Sequence, residues 1–157
     1  MSINYVKGDA TRPVGKSLKI IVHVCNDVGA WGKGFVLHIS KRWKGPETRY
    51  KAWYRGEEDI PFGLGEVQFV KVDVDIYVAN MIGQRGLRRV KGIPPVRYDA
   101  IEKGLEKVAE FAVKHGATIH MPRIGCGLAG GSWDKVEKII EKVLISRGIQ
   151  VTVYDYK

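Results

Sequence analysis

Leu18-Lys19-Ile20-Ile21-Val22-His23-Val24-Cys25 runs into Asn26-Asp27-Val28-Gly29-Ala30-Trp31-Gly32-Lys33-Gly34, and the fold is decided in this stretch. The first eight residues are almost all apolar and mostly β-branched, the pattern of a strand buried on both faces beneath helices. The loop that follows holds three glycines within the six positions 29–34. A helical pattern then occupies 34–43. Strand, glycine loop and helix in that order open an α/β unit.

Working outward, further strands are expected at Glu66–Val72 and Val74–Met81, at Thr118–Met121 and at Gln150–Tyr154. The first two are parted only by Asp73 and should pair as a hairpin. Between Tyr98 and His115 the residues Ile101, Leu105, Val108, Ala109 and Ala112 repeat at helical spacing, with Gly116 as the stop. Trp133–Ser146 repeats the pattern with Val136, Ile139, Ile140, Val143 and Leu144, and Ser132 is placed to cap it. A fourth helix spans 46–54, opened by Pro46. Alternating strands and helices predict an α/β fold in three layers, with a largely parallel sheet covered on both faces. Ligands of such sheets bind beyond the carboxyl ends of the strands.

A second glycine loop lies at such an end. Ile124-Gly125-Cys126-Gly127-Leu128-Ala129-Gly130-Gly131 follows Thr118–Met121 and leads to a helix, with four glycines in seven residues. Either loop alone would serve as a tight turn. Two of them at the ends of parallel strands can bring backbone N–H groups to a diphosphate from both sides. Neither ends in Gly-Lys-Ser/Thr and neither is GxGxxG, so kinase, GTPase and dinucleotide-oxidoreductase readings lose their support. Hydrolase motifs of the GxSxG and HExxH kinds do not occur.

Composition agrees with a globular chain of 157 residues, 45% hydrophobic and 27% charged, with neither linker nor repeat, so a single domain over residues 1–157 is expected. No apolar run reaches membrane-spanning length, and the opening residues lack the apolar core of a secretion signal. Cys25 and Cys126 stand too far apart in sequence for a metal-ligand cluster or a disulfide framework, and a reducing cytoplasm is the expected location. A net charge of +9 favours an anionic partner. The stretches 41–44 and 85–91 are solvated basic faces or contacts to nucleic acid.

Gly8-Asp9-Ala10-Thr11, Ile21-Val22-His23-Val24-Cys25-Asn26, Gly29 to Gly34, and Pro122-Arg123-Ile124-Gly125-Cys126-Gly127-Leu128 occur in the order found in macrodomains. From Gly8 to Tyr154 the chain resembles that family, in particular the branch of ADP-ribose-1″-phosphate phosphatases and glutamyl-ADP-ribose hydrolases. The resemblance implies a three-layer α/β/α fold with a mixed, largely parallel sheet, and ADP-ribose as ligand. It also implies that Asp9 accepts from the adenine amino group and that the Ala10 N–H serves the ring. Asn26 would contact the distal ribose. Gly29, Trp31, Gly32, Lys33 and Gly34, with Ile124, Gly125, Cys126, Gly127, Leu128, Ala129 and Gly130, would hold diphosphate and distal ribose. Tyr154 resembles an aromatic that packs near the adenine, and His23 matches a histidine of phosphatase-like members. Two positions depart from the hydrolase branch, where Gln84 and Ala129 stand in place of a Lys and an Asp.

Each candidate has a plainer reading beside the functional one. Asp9 can cap its own turn, Asn26 can end a strand, and His23 can be a hydrogen-bonded core residue. Trp31 is a lid or a surface anchor, and both cysteines pack as small apolar groups. The expected activity is hydrolysis of a substituent on the distal ribose. Asn26 would hold the ribose, and Asp27, His23 or a substrate phosphate oxygen would place the water. The expected protein needs no cofactor and no metal, acts as a monomer and has no membrane partner. The alternatives are an ADP-ribose reader without turnover, favoured by the missing Lys and Asp, and a hydrolase acting on nucleic acid.

Overall fold

The computed structural model describes residues 1–156. Its elements are β1 (Asn4–Lys7), β2 (Lys19–Asn26), α1 (Phe35–Arg42), α2 (Gly45–Tyr54), β3 (Val67–Asp73), β4 (Ile76–Gln84), α3 (Tyr98–His115), β5 (Thr118–Met121), α4 (Trp133–Val143), a short 3-10 turn (Ile145–Arg147) and β6 (Val151–Asp155). One six-stranded sheet has the order β1-β6-β5-β2-β4-β3. All neighbours are parallel except β3, which pairs antiparallel with β4. The expected mixed, largely parallel α/β sheet is therefore what forms.

The run that opened the reading is the central strand. Ile20, Ile21 and Val22 are wholly buried, because alternate side chains of β2 enter two different cores. Ile20 and Val22 join Met81, Ile101, Leu105, Val108 and Ile140 under α3 and α4. Ile21 and Cys25 join Trp31, Ile39, Tyr50 and Trp53 under α1 and α2. The five apolar residues expected along α3 are all inside, each at 1% exposure or less. Gly116 ends that helix in the left-handed conformation at φ 63°, which a Cβ would disfavour.

Four expectations shift. The hairpin turn is Val74-Asp75 rather than Asp73 alone, so β4 begins at Ile76 and continues to Gln84. Val74 is left 81% exposed in that turn. The last helix stops at Val143 and tightens into the 3-10 turn before Gly148. Ser132 sits at the helix start but gives no side-chain cap; its carbonyl accepts from Lys135 and Val136 instead. Strand β1 was not foreseen: its four residues are largely exposed at the sheet edge and carry no run of apolar residues. No helix among the described residues is long and apolar enough to cross a membrane.

Candidate ligand cleft

Parallel pairing brings the ends of β1, β2, β4, β5 and β6 to one edge of the sheet, and the loops that follow them build a cleft there. Two adjoining cavities, about 270 and 340 Å³, share Val24, Lys33, Val36, Gln84 and Leu128 as common walls. The first takes in His23, Gly34, Ile124, Gly125, Gly127 and Ala129. The second takes in Asn26, Trp31, Gly32 and Arg88. The two glycine loops thus face each other across a common space, as the sequence suggested.

The glycines divide by job. Gly32 and Gly34 have φ of 73° and 81°, and a Cβ on Gly32 would meet nothing within 4 Å. Gly127 has ordinary φ and is also open. By contrast, Gly29 lies outside the cleft lining, where a Cβ would collide with the Tyr54 ring. Gly130 packs on Pro94, 2.9 Å from an added Cβ, and does not line the cleft either. Both are there so that neighbouring segments can close. Cys126 sends its Sγ to the Ile124 carbonyl and stays off the cavity walls. Burial raises the thiol pKa of both Cys25 and Cys126, and no thiolate is set up.

Asn26 lines the second cavity and is held by its own loop, with one of its two Nδ2–H groups left over among the described residues. Its Oδ1 accepts from the Val28 and Ala30 N–H groups at 3.0 and 3.2 Å, and its Nδ2 donates to the Ala30 carbonyl at 2.6 Å. The Tyr50 hydroxyl lies 2.7 Å from the Asn26 carbonyl and 2.9 Å from Oδ1. Asp27 is outside the cavity walls; its Oδ1 takes the Gly86 N–H at 2.8 Å and ties the first loop to segment 85–97. Trp31 is 7% exposed and donates through Nε1 to Ser40, so it is an anchored wall rather than a loose lid.

At the β1 end, Asp9 Oδ1 accepts from both the backbone N–H and the hydroxyl of Thr11, at 2.8 and 2.7 Å. Its Oδ2 has no hydrogen bond among the described residues, so turn capping leaves an acceptor over. Ala10 is 2% exposed. Tyr154 is a support and not a presented face. It is 4% exposed, and its hydroxyl lies between the Val14 N–H (3.0 Å) and His120 Nδ1 (2.7 Å), which pins the 8–15 loop. The open ring is Tyr156, 65% exposed and 4.8 Å from His38 of α1. Sequence reading missed it, although an aromatic two positions after Tyr154 was visible.

His23 is 2% exposed, with Trp31 edge-on at 5.5 Å and Phe35 at 6.1 Å. Burial lowers it to about 4 against a weaker opposing effect of its bond to Asn80, so the ring is neutral at pH 7. Gln84 lines both cavities and donates to the Gly86 carbonyl at 2.9 Å. Leu87, Arg88 and Arg123 also line the cleft and had not been placed there from sequence. Leu87 and Arg88 sit in the basic stretch 85–91, which reads equally as solvent-facing charge, whereas Arg123 stands within the Pro122–Leu128 motif that had been quoted without giving it a role. Among the described residues no group of three His, Cys, Asp or Glu side chains could hold a metal.

No family model matches the chain. It is 32% identical over 154 residues to "ADP-ribose glycohydrolase OARD1" of Bos taurus, covering 97% of this chain and 90% of that protein. It is 32% identical over 163 residues to "Chromodomain-helicase-DNA-binding protein 1-like" of Mus musculus. That match takes in 98% of this chain but only 18% of the mouse protein's length, so the chain spans a minor part of such relatives. Among solved structures, a macrodomain protein from Streptomyces coelicolor is 54% identical with a TM-score of 0.87, over 99% of this chain and all of that one. The chain belongs to the macrodomain family.

Proposed function

We propose that this chain binds ADP-ribose along the cleft and hydrolyses a substituent on its distal ribose. One observation carries the reading: two glycine loops, open at Gly32 and Gly127, face each other across cavities that join at Lys33, Gln84 and Leu128. Their backbone N–H groups, with Lys33, suit a diphosphate. Asp9 and Ala10 line neither cavity; in the turn that follows β1, Asp9 Oδ2 is the acceptor left for the adenine, and Tyr156, against His38 of α1, is an exposed ring at the end of β6. Asn26 shapes the loop and keeps one Nδ2–H at the cavity wall for the distal ribose.

Gln84 shapes the chemistry. The Gln84 carboxamide, where the hydrolase branch has a Lys, is no amine nucleophile, so water is the attacking group. It is placed by His23 at the cavity wall or by a phosphate oxygen of the substrate. The leaving group is a 1″-phosphate or a macromolecule joined to the ribose. A panel of ADP-ribose 1″-phosphate, ADP-ribosylated protein and ADP-ribosylated oligonucleotide tests this. Release of phosphate or free ADP-ribose from one member is expected; tight binding without turnover of any would leave a reader and remove the hydrolase.

A nucleic-acid-borne substrate is the second reading. Residues 76–98 contain no Asp or Glu, and Arg85, Arg89 and Lys91 belong to the same segment as Arg88, which enters the cavity wall. Guanidinium groups pair well with phosphates. Faster turnover of the oligonucleotide than of the protein substrate, with rates falling steeply as salt rises, is the expected sign. A salt-independent preference for protein excludes it.

A further inference from the structure

A chain of side-chain amides leads from the cleft wall through the core to the surface. His23 Nε2 lies 2.6 Å from Asn80 Oδ1. Asn80 Nδ2 donates to Gln68 Oε1 at 2.9 Å and to the Pro46 carbonyl at 3.1 Å. Gln68 Nε2 donates in turn to the Arg49 carbonyl at 3.0 Å and to Glu58 Oε1 at 2.7 Å. Glu58 closes the chain on Arg49.

The direction of every bond is fixed by partners that can only accept. The Arg49 carbonyl and the Glu58 carboxylate require the Gln68 amide nitrogen, and the Pro46 carbonyl requires that of Asn80. Asn80 therefore turns its oxygen to His23, and Nε2 must carry the ring proton. The lone pair falls on Nδ1. That atom is the one buried side-chain N or O without a hydrogen-bond partner among the described residues. An unsatisfied buried acceptor is costly; His23 belongs to a cavity wall, and because Nδ1 itself has almost no surface open to solvent, a partner arriving in the cavity reaches it only with a small shift of that wall.

We infer that Asn80 and Gln68 are positioning residues that lock His23 in the Nε2–H tautomer, so that Nδ1 accepts a hydrogen bond from a hydroxyl or water that arrives with the bound ligand. The inference rests on ADP-ribose as that ligand. Amide side chains do not titrate, so the lock holds as long as the Glu58 carboxylate is ionised and His23 is neutral. The neutrality that burial imposes on His23 keeps the lone pair free at pH 7. Neither Asn80 nor Gln68 lines the cleft, and both act only through His23.

The test is nitrogen NMR on the full chain labelled in histidine. In the free protein His23 should show a protonated Nε2 and a pyridine-type Nδ1. Saturating ADP-ribose, checked by calorimetry on the same sample, should shift the Nδ1 resonance in the direction of hydrogen bonding and leave Nε2 in place. Asn80→Leu, if folded by its melting curve, should give mixed tautomers and at least about fivefold weaker ADP-ribose binding. A proton on Nδ1 in the free wild-type protein, or an Nδ1 resonance unmoved at saturation, overturns the inference. Failure of ADP-ribose to bind at all would remove the ligand reading and with it the accepting role of Nδ1. The free-protein tautomer would still decide the lock.

Discussion

Gly127 and Gly130 sit three residues apart in one loop, yet only the first faces ligand space. A Cβ at Gly127 meets no atom within 4 Å and needs no left-handed backbone. Gly127→Val should leave the melting temperature nearly unchanged and weaken ADP-ribose by more than about tenfold, over 1.4 kcal/mol. Gly130→Val should do the reverse, because φ of 78° and the Pro94 contact both resist a side chain. Calorimetry beside melting curves separates the two, and a well-folded Gly127→Val protein with normal affinity would take this loop out of the site. Asp9 permits a similarly clean change. Asp9→Asn keeps an oxygen for Thr11 while placing an amide donor where Oδ2 stood. Binding should fall by about 1–3 kcal/mol at constant stability; unchanged affinity would make Asp9 a turn residue and nothing more.

Among the elements, β2 and its loop carry the site, and the loop is shaped from beneath by α2. The Tyr50 hydroxyl reaches both the carbonyl and the side chain of Asn26 without touching the cleft. Tyr50→Phe should therefore cost about 1–2 kcal/mol of stability, and reduce ADP-ribose affinity through a loosened 26–30 turn. Equal affinity in the variant would show that the turn holds itself. The elements were legible in sequence wherever burial imposes a period, as in Ile20–Val22 and the α3 stripe. They were illegible where it does not, as in the exposed edge strand β1. The site was legible as loops, since glycine runs at strand ends mark close backbone approach. Which glycine opens to ligand and which packs on Tyr54 or Pro94 depends on partners far away in sequence. The same holds for Tyr154, whose neighbours Val14 and His120 come from other elements, so its support role could not be read beforehand.

For the molecule as a whole, two buried histidines couple stability to pH. Burial lowers both His23 and His120 to about 4, with the Lys19 charge adding to the effect at His120. The unfolded chain, titrating near 6.5, then binds more protons than the folded one between those values. Stability should fall as pH drops from 6.5 toward 5, above the range of ordinary carboxylates, with a slope approaching about 1.4 kcal/mol per pH unit for each histidine. Denaturant melts at pH 7, 6 and 5 check this; a flat profile would mean that both rings titrate inside the fold as they do in the unfolded chain. The central claim concerns the cleft, with a glycine loop at each wall and the turn after β1 proposed to take the adenine. Calorimetric titration with ADP-ribose and with AMP tests it most directly, because AMP lacks the second phosphate and the distal ribose. The account predicts that ADP-ribose binds at least about a hundredfold more tightly, a difference of roughly 2.7 kcal/mol. Equal affinities for the two, or no heat of binding from ADP-ribose, would contradict it.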